Sequence, residues 1–148
     1  MQGELSQLYQ QVILDHNKNP RNFGHLMPHT HYAQGHNPLC GDHLDLYMNL
    51  DENGIVREVK FEGQGCAISK ASASIMTTMI IGKNLDEIKI MFEKFHEIVT
   101  SPPEDEIDED SLGKLAVFAG VREFPARVKC ASLAWHTLTS ALGVIPSE

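Results

Sequence analysis

The chain is poor in cysteine, in tryptophan and in positive charge. Its 148 residues include 3 cysteines, 1 tryptophan and 12 Lys plus Arg against 20 Asp plus Glu. An odd number of cysteines leaves one thiol over from any all-disulfide framework, and without a Cys-x-x-Cys pair neither a zinc ribbon nor a thioredoxin motif applies. A net charge of −8 repels phosphate backbones, so no nucleic-acid partner is expected. Long apolar runs are missing too. The longest, Ile75 to Ile81, contains two threonines and is far too short to cross a bilayer, so no membrane partner is expected. Met1-Gln2-Gly3-Glu4-Leu5 offers neither a basic n-region nor an apolar h-region, which predicts a cytoplasmic chain with reduced thiols. What is present is ordinary. At 42% hydrophobic and 22% charged residues, the composition and length predict one globular domain over 1–148 rather than a disordered chain.

Leu5, Leu8, Tyr9, Val12, Ile13 and His16 recur at helical spacing, and Asn17, Asn19 and Pro20 stop that helix. The His-rich stretch 22–38, with His25, His29, His31 and His36, reads as a solvated loop with room for one edge strand. Its histidines have no regular ligand spacing. Leu44, Leu46, Met48 and Leu50 alternate with His43, Asp45, Tyr47 and Asn49, which predicts a strand with one face buried. Asn53-Gly54 turns it into a second strand through Ile55, Val59 and Phe61. Helices are expected from Ile68 to Ile81, from Asn84 with a capping box on Glu87, over Leu112 to Ala119, and after Phe124-Pro125. Six acids crowd residues 104–110, within an acidic connection at about 100–111. Outside that block 14 acids face the 12 bases, so the acidity is local. The expected class is α+β, a small antiparallel three-stranded sheet with helices packed on one face.

Each cysteine falls where the backbone turns a corner. Cys40 precedes the first clear strand in Asn37-Pro38-Leu39-Cys40-Gly41-Asp42, and Cys66 closes Gly63-Gln64-Gly65-Cys66 before a helix. Cys130 lies in the first turns of the last helix. Two of the three are thus expected near helix N-termini, where backbone dipoles favour a thiolate, and none is expected on an apolar stripe. Cys40 and Asp42 flank a glycine, so one turn can aim a thiolate and a carboxylate at one ion. Three thiolates and a carboxylate would suit a borderline metal such as zinc. Unrelated core cysteines remain the alternative at this point.

Four motifs, in order along nearly the whole chain, carry a resemblance to a known family. Ile13-Leu14-Asp15-His16 with Asn19-Pro20-Arg21-Asn22 resembles the N-terminal signature of the IscU/NifU-type iron–sulfur assembly proteins. Asn37 to Asp42, Phe61 to Ser69 and Arg127 to Trp135 are similar to their three cysteine motifs. Where the IscU pattern has histidine before the third cysteine, this chain has Lys129. The 64-residue separation of Cys66 and Cys130 also includes extra chain. Both departures, with Phe124-Pro125-Ala126-Arg127, are similar to the SufU-type branch.

The resemblance implies a SufE/IscU-like fold and zinc bound by Cys40, Asp42, Cys66 and Cys130. It also implies a cysteine desulfurase partner of the SufS type, whose histidine replaces Cys40 on zinc and frees it to accept persulfide sulfur. Arg127 and Lys129 would stabilise the thiolate or persulfide, or else serve only as surface charge. Onward partners would be a cluster scaffold or apo-protein acceptors. The IscU-like alternative is a [2Fe–2S] cluster assembled transiently on Cys40, Cys66 and Cys130, with Asp42 as an oxygen ligand that eases release. A third possibility is a zinc or cysteine hydrolase using His36 or His136 beside a cysteine, but no His-Glu-x-x-His base motif is present.

Overall fold

A computed structural model describes residues 2–37, 41–102, 104, 113–122 and 124–143, with side chains from Gln10 onward. Helix α1, Gln2–Lys18, comes first. The sheet follows as β1 (His31–Asn37), β2 (Asp42–Leu50) and β3 (Val56–Gln64), antiparallel throughout and in the order β1-β2-β3. Helices α2 (Ala67–Ile80) and α3 (Leu85–Thr100) lead to a 3-10 helix, Gly113–Val121, and then to α4, Pro125–Leu142. The α+β reading and the three strands agree with the sequence pattern. Apart from Glu104, the acidic run lies outside the described residues.

Turn chemistry sets the β2–β3 register. Asp51 Oδ1 accepts the amides of Asn53 and Ile55 at 2.8 and 3.1 Å, and Gly54 takes φ 76°, a conformation that costs glycine little. The inner sheet face presents Leu44, Leu46, Met48, Val59 and Phe61, all buried. Helix α4 packs across β1 and β2, while α2 lies against β3 and α4. Behind these, α3 and the 3-10 helix complete the core, where Phe95 stacks on Trp135 at 4.9 Å and meets Phe118 edge-on. Trp135 is fully buried, and among the described residues its Nε1–H has no acceptor.

Helix α1 docks on α2 rather than on the sheet, and the N-terminal signature makes the joint. His16 Nδ1 lies 2.7 Å from Ser74 Oγ, which also accepts the Arg21 amide at 2.8 Å. The Arg21 guanidinium pairs with Asp15 at 2.6 Å, and this hydrogen bond holds the Asp15 carboxyl below its usual range. Asn22, at φ 57°, donates its side-chain amide to Thr77 and accepts the Phe61 amide on its carbonyl. One short motif therefore ties α1 to both α2 and β3.

The structure refines two expectations. The outer face of β2 is not simply solvated: Tyr47 is only 6% exposed, because the chain before β1 crosses over it. His25 and His29 pack on its ring with centroids 4.5 and 5.3 Å away, and Tyr47 donates to Glu62 at 2.7 Å. Hydrogen bonds from Tyr47 and His25 hold the Glu62 carboxyl below its usual range. So His25, itself still exposed, and His29 add aromatic cover within a stretch that also supplies the expected edge strand, β1. The short helix expected from Leu112 to Ala119 is present, as the 3-10 helix Gly113–Val121, with Leu115 through Ala119 all buried. Five consecutive buried residues leave no polar face for an amphipathic α-helix.

Candidate metal centre

Three elements bring side chains to one spot. Asp42 opens β2 opposite Asn37 and is 1% exposed. Cys66 ends the β3–α2 connection as the N-cap of α2, where its Sγ accepts the Ser69 amide at 3.4 Å. Cys130 lies on the buried face of α4 at 5% exposure. One carboxylate oxygen of Asp42 and the sulfurs of Cys66 and Cys130 all lie within 4.8 Å of one another. Asp42 Oδ1 accepts the Cys66 amide at 2.9 Å, and Oδ2 stands 4.0 Å from Cys66 Sγ.

Two thiols and one carboxylate at this separation can hold a borderline cation. The soft sulfurs favour zinc or iron over calcium or magnesium, and burial of Asp42 and Cys130 keeps competing water away. The donor set therefore fits the metal expected from the sequence. Cys66 is the most open of the three, and its sulfur takes the Ser69 amide at the N-terminus of α2.

The positions of the cysteines differ from expectation in two respects. Cys130 is the sixth residue of α4, beyond the first turn where the helix dipole acts, so the dipole argument applies to Cys66 alone. Cys130 also shares a buried face with Ala131, Ala134 and Trp135. Burial by itself would make it a core cysteine; the nearby Asp42 and Cys66 set it apart. Cys40 lies outside the described residues.

Arg127 is exposed and lies over the Phe124 ring at 4.4 Å. Lys129 lines a groove of ≈ 470 Å³ between α3, α4 and the end of β1. His36, His96 and His136 line the same groove. The two histidines considered for hydrolysis thus belong to this groove and not to the Asp42–Cys66–Cys130 cluster. Sequence reasoning missed the joining role of His16, Arg21 and Asn22. Their compact signature was visible, but its partners Ser74 and Thr77 lie 53 to 58 residues away.

The model of the NifU-like N-terminal domain family matches residues 8–131. The chain belongs to that family. Within it, the chain is 45% identical over 136 residues to the zinc-dependent sulfurtransferase SufU of Bacillus subtilis (strain 168), covering 92% of this chain and 90% of that protein. It is 38% identical to the iron–sulfur cluster assembly scaffold protein IscU of Streptococcus pyogenes serotype M1, over 95% of this chain and 86% of the relative. A crystal structure described as a putative iron–sulfur cluster assembly scaffold protein for the SUF system, from Fervidobacterium islandicum AW-1, superposes with a TM-score of 0.81 at 37% identity. That match covers 92% of this chain and 97% of the other. The NifU-like fold, with its three-stranded antiparallel sheet and flanking helices, is therefore common to this chain and a solved relative.

Proposed function

We propose that this chain is an iron–sulfur cluster biogenesis protein of the SufU type, which accepts persulfide sulfur from a cysteine desulfurase of the SufS type. The observation that carries the reading is the convergence of Asp42, Cys66 and Cys130 ligand atoms within 4.8 Å. Those three residues, with Cys40 as the fourth, would hold zinc, which keeps coordinating thiols deprotonated at neutral pH. The B. subtilis relative, named a zinc-dependent sulfurtransferase, supports that assignment. No helix among the described residues is long and apolar enough to cross a membrane, which is compatible with a cytoplasmic site of action.

The chemistry is a thiol–persulfide exchange. The Cys40 thiolate attacks the terminal sulfur of the desulfurase persulfide, forming a new S–S bond. The desulfurase S–S bond breaks, and its cysteine leaves as a thiolate. No net oxidant or reductant is consumed, because the sulfane sulfur only changes carrier. Arg127 and Lys129 are proposed to offer positive charge to the persulfide. The sulfur then passes to a cluster scaffold or apo-protein.

A second reading rests on the 38% identity to a relative named as a scaffold: a [2Fe–2S] cluster assembled on the same cysteines. Metal analysis of the purified protein separates the two. One zinc per chain supports the sulfur acceptor, whereas iron with acid-labile sulfide supports the scaffold. Desulfurase turnover on cysteine is expected to rise when the chain is added and to lose that rise with Cys40→Ala. Full stimulation by Cys40→Ala would refute the acceptor role.

A further inference from the structure

Gly65 precedes Cys66 and has no side chain to place against its surroundings. A β-carbon built there would meet Asp42 first, second and third: Oδ1 at 2.6 Å, Cγ at 3.1 Å and Cβ at 3.3 Å. The first distance is shorter than any real contact tolerates, and Asp42 cannot swing aside freely. It is 1% exposed, and Oδ1 is already engaged by the Cys66 amide at 2.9 Å. Gly65 is also absent from the glycines with positive φ, so its backbone conformation is open to alanine. Among the described residues, the nearest obstacle to a side chain at position 65 is the Asp42 side chain.

Gly63, two residues earlier, is a different case. It has φ 155°, and a β-carbon there would run into the carbonyl oxygen of His43. A side chain at 63 would disturb the pairing of β2 with β3, a matter of folding. At 65 the closest contacts all fall on one side chain, that of Asp42.

We propose that Gly65 is a positioning residue for the metal centre. Its missing side chain lets Asp42 stand with Oδ1 on the Cys66 amide and its carboxylate inside the cluster with Cys66 and Cys130. The amide bond fixes the direction of the carboxylate, as outer-shell hydrogen bonds do for metal ligands generally. One oxygen is tied to the backbone, which leaves the other to face the ion. Gly65 thus fixes how the single oxygen donor among sulfur donors is presented. This inference rests on the assignment of Asp42 as a ligand.

The test compares full-length Gly65→Ala, Asp42→Ala and the double variant with the wild-type protein. Zinc loss to a chelator gives one readout, and the spectrum of the cobalt(II)-substituted protein gives the other. Gly65→Ala is expected to lose zinc about tenfold faster or more, the usual scale for disturbing an outer-shell contact. Its cobalt ligand-field bands should shift while the thiolate-to-metal charge-transfer bands persist. Asp42→Ala should behave likewise, and the double variant should match Asp42→Ala alone. Wild-type exchange rates and spectra in Gly65→Ala would overturn the proposal, as would additive losses in the double variant. If Asp42→Ala itself left both readouts unchanged, Asp42 would not be a ligand, and the positioning role would fall with it. If Gly65→Ala folds poorly, Asp42→Ala must restore folding in the double variant, because the three atoms nearest the added β-carbon all belong to Asp42. Persistent misfolding of the double variant would refute the inference.

Discussion

His16 stands at the junction of α1 and α2 with Nδ1 on Ser74 Oγ, and burial followed by the nearby Arg21 charge lowers its pKa below the usual 6.5. As pH falls through about 6.5, the unfolded chain takes up the His16 proton before the folded chain does. The His16 contribution is therefore complete above that pH and is lost as pH drops toward the folded pKa. Asp15 and Arg21 face the imidazole from its own side of the joint, and Lys114 adds like charge from the 3-10 helix. A His16→Gln variant should lose less thermal stability than the wild type between pH 7.5 and 5.5, when both are followed by circular dichroism. Parallel losses in the two proteins would show that the imidazole does not titrate in this joint. The pair was not legible beforehand, since a His at helical spacing says nothing of a serine 58 residues on.

Between elements, β1 passes close to α4 at Gly35. A β-carbon on Gly35 would strike Thr137 Oγ1 and come within 3.1 Å of Leu133. Thr137 is buried and already donates to the Leu133 carbonyl at 2.7 Å. Gly35→Ala is thus expected to cost about 1–3 kcal/mol, the usual penalty for overpacking. Adding Thr137→Ala should recover part of it, as read from urea unfolding midpoints. The same elements show what the sequence reveals. Alternation exposed β2, the Asn84–Glu87 pair announced the start of α3 with a complete capping box, and Pro125 stands at the first position of α4. These signals are local. Burial of Tyr47 was hidden because its cover comes from His25 and His29, which no period relates to β2. Asp42 was visible beside Cys40, but its hydrogen bond to the Cys66 amide spans 24 residues and needed the folded chain.

Over the whole molecule, the candidate centre joins the start of β2, the N-cap of α2 and the second turn of α4. An ion held there would cross-link three elements that are distant along the chain, so binding free energy becomes folding free energy. Removing zinc with a chelator should lower the thermal midpoint. Free zinc at about 100 times its dissociation constant should add about 2.7 kcal/mol of stability. Asp42→Ala should shrink that difference in calorimetry, whereas a zinc-independent midpoint would argue against a load shared by the three elements.

Trp135 gives these experiments a built-in optical gauge. It is the one tryptophan in the chain, it sits on the same helix as Cys130, and it is sealed against Phe95 at 0% exposure. Its indole fluorescence should be blue-shifted and deaf to quenchers in water. A partner landing on the surface would leave the emission wavelength alone, while any event that lifts α4 from the core would redden it. One wavelength can therefore tell docking from opening.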